Sequence, residues 1–145
     1  RFPKGLHRGL EFFGQQAPRL KEQGYREAIA GQGLLVVEGF NDVMALDALG
    51  IPAIGIMSNR ITEAQVEKLA LWARRLAGGK VSLMLDCEDT GDEGAKEAVW
   101  QLLQQGLDVR LAWTQAMHGG RFRGRQPESL TREEWQEAIA PALQR

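Results

Sequence analysis

The stretch Leu34-Leu35-Val36-Val37-Glu38-Gly39-Phe40-Asn41-Asp42 constrains this chain more than any other. Four apolar residues run without a break into an acid, a glycine ends the run, and a second acid follows four residues after the first. A short apolar run with β-branched residues at its end is the pattern of a strand buried on both faces. An acid placed where such a strand ends lies at the carboxyl edge of the sheet, where open α/β sheets hold their ligands. Residues 81–86, VSLMLD, repeat the design, and the stretch from Cys87 to Gly94 adds four more acids and two glycines. Two parallel strands that deliver carboxylate to one edge predict a divalent-cation site.

The rest of the chain is spaced to match. Strand 34–38 leads to a helix over about 41–49 with Val43, Met44 and Leu46 inward, closed by Gly50 as a left-handed cap. Strand 53–57 is followed by the loop Ser58-Asn59-Arg60. Thr62 with Gln65 forms a capping box that opens a helix over about 63–77, with Val66, Leu69, Ala70, Ala73 and Leu76 at helical spacing. Strand 81–86, the acidic loop, a helix over about 93–105 and strand 108–113 come next. A polar, basic loop covers 114–130, and a second capping box, Thr131 with Glu134, opens a last helix to about 140, with Pro141 at its exit. Strands alternating with helices predict an α/β fold with a four-stranded parallel sheet and right-handed crossovers. Residues 1–33 read as an N-terminal helical extension or the remnant of an upstream domain, with Leu6, Leu10, Phe12 and Phe13 on a short helix and a second helix over roughly 18–30. Residues 34–145 read as the catalytic domain.

Composition narrows the classes of function. The 145 residues, 43% hydrophobic, make one domain with a sizeable core. The net charge is −1, so no global basic field draws in nucleic acid, and contact with a polyanion needs a local patch or metal ions. A single cysteine excludes an internal disulfide or a zinc ribbon within this stretch and is compatible with a reducing cytoplasm. No stretch approaches the ~20 apolar residues of a membrane span. The opening RFPKGLHRG lacks a methionine and a signal-peptide core, so the sequence reads as part of a longer protein.

Glu38, Asp42, Asp86 and Glu88 supply hard oxygen ligands of the kind Mg²⁺ takes, and no His or Cys cluster competes for a softer metal. Arg60, after the second strand, is placed to meet a nucleotide phosphate. The loop 118–125, HGGRFRGR, offers Arg121, Arg123 and Arg125 for phosphates, with Phe122 free to stack on a base. Asp89, Asp92 and Glu93 read as a solvated face, the last two near a helix N-terminus. Cys87 reads as a small buried thiol, and Trp72, Trp100 and Trp135 as packing residues. Neither His7 nor His118 is assigned a role.

The pair EGFND at 38–42 and DCEDTG at 86–91 resembles the Toprim domain shared by primases, topoisomerases and related nucleases. Its signatures are a glutamate-glycine after the first strand and D-x-D-x-x-G after the third. The form E-G-[FY]-x-D-V, Glu38 to Val43, looks most like the bacterial-type DNA primases. The likeness covers about 34–130, with a weaker echo in KGLHRGLEFFG. It implies a compact, Rossmann-like Toprim fold in which Glu38 is a metal ligand or proton-transfer group. Asp42 matches the primase aspartate that follows, Asp86 the first aspartate of the second motif, and Gly91 its glycine. Glu88 stands where the family usually has aspartate, one methylene longer. Pro127-Glu128-Ser129-Leu130 looks like the primase Asp-Pro-Asp-Thr-Leu segment, with Glu128 replacing the inner aspartate and Gln126 unable to replace the first.

The function implied is Mg²⁺- or Mn²⁺-dependent primer synthesis from nucleoside triphosphates on single-stranded DNA, with Glu38 and Asp86 catalytic. Zinc-binding and template-gripping elements would lie upstream, and a replicative helicase would be met through other regions. The alternatives are a Toprim nuclease or topoisomerase, or a non-catalytic nucleic-acid-binding module. A topoisomerase needs a tyrosine nucleophile, and the chain has only Tyr25. A phosphotransfer receiver also carries acids at strand ends, but the lysine it expects after a late strand is not evident.

Overall fold

The computed structural model describes residues 23–144. The predicted apolar patch Leu6, Leu10, Phe12 and Phe13, the KGLHRGLEFFG echo and His7 lie outside the described residues. Helix α1 spans Gln23–Gln32, ending two residues past the 30 expected, while the expected start at 18 lies outside the described residues; it runs into strand β1, Leu34–Val37. Helix α2 covers Phe40–Ala48, β2 is the short pair Ile54–Gly55, and α3 covers Glu63–Leu76. Strand β3 is Lys80–Leu83, α4 Asp89–Gln104 and β4 Asp108–Leu111. All pairings are parallel, in the order β2-β1-β3-β4. The central strand β1 sets Val36 opposite both Ile54 and Leu83.

Alternation along the strands divides the interior into two layers. Leu34, Val36, Ile54, Val81 and Leu83 face α1, α3 and α4, packing on Ile29, Leu69, Ala73, Ala98 and Leu102. Leu35, Val37, Met84 and Trp113 face the other way, onto Val43, Leu46, Phe122, Ile139 and Leu143. Both faces of the central strand β1 are covered, which explains why it is a continuous apolar run.

The predicted caps form. Thr62 Oγ1 accepts the Gln65 N–H at 3.1 Å while Gln65 Oε1 accepts the Thr62 N–H at 3.0 Å. Thr131 and Glu134 repeat this reciprocal pair at 3.1 and 2.9 Å. Gly50, at φ +80°, closes α2 as expected, with the Ile51 N–H bonded back to the Leu46 carbonyl at 2.9 Å.

Four local expectations are corrected. Met44 is 52% exposed, because α2 turns Asp42, Val43 and Leu46 inward and leaves Met44 on the other side. Trp100 is 68% exposed, on the side of α4 away from its buried Ala95, Ala98 and Leu102. Helix α4 starts at Asp89, so the acidic loop shortens to Asp86–Glu88 and the second motif lies partly on the helix. The last helix does not stop at Pro141: α5, Arg132–Glu134, passes through a π turn, Trp135–Ile139, into α6, Ala140–Leu143. The proline falls in the first turn of α6, where an N–H is not required.

Candidate metal and nucleotide site

The sheet's carboxyl edge opens into a cleft of about 710 Å³. Glu38, leaving β1, Asp42 in the first turn of α2, Asp86 beyond β3, and Glu128 line it together. Phe40, Met57 and Gln126 complete much of the wall.

Backbone amides fix these carboxylates. Glu38 Oε2 accepts the Asp86 N–H at 2.7 Å. Asp42 Oδ2 accepts the Gly39 N–H at 3.2 Å, and its Oδ1 accepts the Glu128 N–H at 3.1 Å. Each Asp42 oxygen keeps a second lone pair for a ligand. Asp86 differs: its Oδ1 is buried and has no hydrogen-bond partner. A buried carboxylate oxygen left without a donor is costly unless a cation or ordered water meets it.

The electrostatics follow from this crowding. Burial, and then the charges of Glu38, Asp42, Glu88 and Glu128, push the Asp86 carboxyl up to about 7. Burial also raises Glu38, opposed by the Asp86 N–H and assisted by Glu88 and Asp42. Burial raises Asp42 as well, against its two amide donors. A divalent cation would relieve the repulsion, and the donors are all hard oxygens, which suits Mg²⁺ or Mn²⁺. Among the described residues no three His, Cys, Asp or Glu side chains form a group able to hold a metal unaided.

Two glycines bring the second motif tightly against its neighbours. A Cβ on Gly91 would lie 1.8 Å from the Asp86 carbonyl oxygen, and one on Gly94 2.0 Å from that of Asn59. Helix α4 can therefore approach the end of β3 and the loop after β2 only where side chains are absent.

Other predicted residues are placed differently. Glu88 caps α4 from an exposed position and accepts from Thr90 Oγ1 at 3.2 Å; it does not line the cleft. Asp89 and Asp92 are more than a solvated face, since Gln115 Nε2 donates to both, at 2.9 and 3.2 Å, tying the exit of β4 to α4. Arg60 is on the same edge but pairs with Glu97 at 3.2 Å. Cys87 is fully buried, and burial raises its thiol pKa.

The loop 114–130 is folded rather than a loose basic clamp. Phe122, expected to be free for a base, is completely buried, 5.3 Å from the Trp113 ring and edge-on to His118. Arg121 and Arg125 cover its ring at 5.1 and 5.5 Å. Arg125 also grips Glu134 through both terminal nitrogens and donates to the Ser129 carbonyl. That leaves Arg121 and Arg123 as the loop's exposed cations. The loop is laced to the second motif by backbone bonds, Cys87 N–H to Arg125 O at 2.8 Å and Gly124 N–H to Cys87 O at 2.7 Å.

Phe40, Met57 and Ser58 were not singled out from the sequence. Met57 adopts φ +64°, a strained conformation for a side-chain-bearing residue, in the cleft wall.

Comparisons with known proteins bear on the fold that carries these residues. A family model described as Toprim-like matches residues 35–119. No curated protein sequence matches. Among solved structures, the Aquifex aeolicus primase zinc-binding and RNA polymerase domains share the fold with a TM-score of 0.69 at 23% identity, over 98% of this chain and 32% of that one. A DnaG catalytic core gives 0.61 at 22% identity, over 92% and 39%. A DnaG primase catalytic domain bound to single-stranded DNA gives 0.61 at 20% identity, over 99% and 43%. The chain thus spans between about a third and two fifths of the length of these structures.

Proposed function

Because this chain belongs to the Toprim-like family, we propose that it is the catalytic domain of a bacterial-type primase, joining ribonucleotides on a single-stranded DNA template with Mg²⁺ or Mn²⁺. The observation that carries this reading is the convergence of Glu38, Asp42, Asp86 and Glu128 on one cleft, with Asp86 Oδ1 buried and unpartnered. The solved structures that share the fold are primase cores, one of them bound to single-stranded DNA, which supports the choice of primase within the family.

Nucleotidyl transfer needs charge neutralised on the attacked phosphate and a proton removed from the attacking hydroxyl. Bound metal supplies the neutralisation and polarises the attacking and leaving oxygens. Asp86 and Glu38 would hold it, with Asp42 and Glu128 adding charge and Glu88 reaching in from outside, directly or through water. Glu38, anchored by the Asp86 amide, is the group positioned to ligate or to take the hydroxyl proton. Arg121 and Arg123, with Arg60, would meet template or nucleotide phosphates, which provides a local patch in a chain of net charge −1. Arg125 would serve that patch by holding the loop. The compartment in this reading is the cytoplasm, and upstream elements and a replicative helicase would act through other regions of the protein.

The chain's one tyrosine does not favour a topoisomerase: Tyr25 is buried and its hydroxyl donates to Asp47 Oδ1 at 2.7 Å. The test is primer synthesis by the intact protein on single-stranded DNA with nucleoside triphosphates, across a Mg²⁺ titration. Metal-dependent incorporation is expected. DNA cleavage without incorporation would make it a nuclease, and neither activity, with no metal effect on melting, would make it a binding module.

A further inference from the structure

Strand β4 is the last strand on its side of the sheet and has a neighbour only in β3. In a parallel ladder every second residue turns its N–H and C=O toward the neighbour. On β4 these are the even positions: the Asp108 N–H meets the Gly79 carbonyl and the Ala112 N–H the Leu83 carbonyl, each at 2.9 Å. The backbone N–H and C=O groups of Val109 and Leu111 therefore point away from the sheet, and no described residue bonds to them.

An open edge of this kind is a template for a further strand, and proteins commonly guard it with charges that repel one. The charges of β4 do the reverse. Asp108 and Arg110 stand two residues apart on one face of the strand and pair with each other at 3.0 Å. A second copy of β4, antiparallel to the first about a two-fold axis at Val109, would let each Val109 exchange both backbone bonds with its counterpart. That register also sets each Asp108 opposite an Arg110. Moving the axis by one residue, to Arg110, would set arginine against arginine.

Helix α4 adds an apolar component. Its side toward β4 is marked by Asp92, which accepts from Gln115 beyond the strand, and its other side by Glu97, which pairs with Arg60. Leu103 follows Asp92 by close to three helical turns and so shares the β4 side, with Trp100 beside it on the outer surface. Leu103 and Trp100 are 52% and 68% exposed. The chain turns from α4 into β4 near Gly106. Rises of ~1.5 Å per helical residue and ~3.3 Å per strand residue bring Trp100 level with Val109, each about 9–10 Å from that turn.

We propose that two copies of this chain associate through their β4 edges, joining two four-stranded sheets into one, with Trp100 and Leu103 of each copy packed between the paired α4 helices. The association does not depend on the catalytic reading above. Antiparallel pairing turns the two carboxyl edges in opposite directions, so both carboxylate clefts stay open and face away from each other.

The test is the molar mass of the intact protein by sedimentation equilibrium over a wide range of concentration. A reversible monomer–dimer equilibrium is expected. Asp108→Arg and Arg110→Asp each set like charges opposite each other at two places, and each alone should weaken dimerisation at least ~10-fold. Mixed in equal amounts, the two variants should form a heterodimer as tight as the unaltered dimer, because every arginine then faces an aspartate. Val109→Pro removes an outward N–H and no bond to β3, and Trp100→Glu puts a charge between the helices; both should give monomers with a native far-UV spectrum. The mixing experiment stands whether or not the proline is tolerated. A protein that is monomeric at every concentration overturns the proposal. So does a dimer indifferent to the charge changes, or a pair of variants that mixing does not restore.

Discussion

Glu38 Oε2 accepts the backbone N–H of Asp86 at 2.7 Å, so the acid of the first motif is anchored by the main chain of the second. The bond spans 48 residues and fixes the distance between two neighbouring strand ends. Glu38→Gln keeps an oxygen for that amide while removing charge and basicity. Melting should hold, and nucleotide incorporation should fall at least ~100-fold, as for loss of a general base or an electrostatic group. Near-normal incorporation would remove Glu38 from the chemistry.

Asp86 should govern the pH dependence of stability. Its carboxyl is raised to about 7 from an ordinary 3.8. A raised carboxyl binds its proton more tightly folded than unfolded, so its contribution is full below the unfolded value and is lost as pH rises through the folded one. The metal-free protein should therefore lose stability from this group between pH 3.8 and about 7. Mg²⁺, competing with that proton, should stabilise most above 7 and progressively less below it. Asp86→Asn should melt higher than the unaltered protein at pH 8 without metal and respond weakly to Mg²⁺. Thermal melts over pH, with and without millimolar Mg²⁺, measure both effects.

Glu88 is exposed at the N-cap of α4 and outside the cleft wall, so its length is not set by packing. Glu88→Asp should stay within about tenfold in primer synthesis, or ~1.4 kcal/mol in the barrier. Glu88→Ala should weaken Mg²⁺ in the same titration while leaving melting nearly unchanged. Abolished synthesis in Glu88→Asp would place this carboxylate directly on the reacting groups.

The loop arginines should divide by role. Arg125→Ala breaks the two-pronged contact with Glu134, whose carboxyl is held down to about 2 by that partner. Both side chains are largely covered, at 28% and 14% exposure, and the loss should be about 1–3 kcal/mol in urea melts. Arg121→Ala with Arg123→Ala should lower melting less than Arg125→Ala does, through loss of the Arg121 contact over Phe122, and should weaken single-stranded DNA binding. It should also flatten the salt dependence by about 1.4 in log–log slope for two phosphate contacts. An unchanged slope would remove both from the template path.

Gly94→Ala should be among the most damaging single-methyl changes in the chain, because the Asn59 carbonyl oxygen 2.0 Å from the new carbon cannot rotate away. Overpacking of this kind costs about 1–3 kcal/mol and occasionally more. Circular dichroism melts of Gly94→Ala beside the exposed control Gly24→Ala check it.

Much of this was legible in the residues. The strands came from apolar runs, and the helix starts at Thr62 and Thr131 from side chains three apart, because both are local signals. The acids at 38, 42 and 86 could be placed on one edge because parallel strands all end on the same side. What failed depended on distant partners. The segment HGGRFRGR is polar and glycine-rich, and only Trp113 and His118 show that Phe122 is an interior residue. Asp89 and Gly91 are poor helix formers, so propensity alone starts α4 too late, yet acids suit a first turn and the glycine is required by contact. Trp100 and Met44 fit a helical period but fall on its outer side, which period alone does not settle. The unpartnered Asp86 oxygen belongs to the assembled edge and has no counterpart in the sequence.

Where Gly91 and Gly94 press α4 onto Asp86 and Asn59, backbone meets backbone with no side chain between to yield. The back of the cleft is thus a stiff corner in which a strand end, a loop and a helix can be displaced only as a single piece. The segment around Glu128 is seated as firmly: its amide donates to Asp42, and the buried Leu130 packs in the same layer as Val43 and Leu46 of α2. Both sides of the cleft are therefore continuous with the interior, so the placing of its carboxylates is a property of the whole packed domain and not of any one loop.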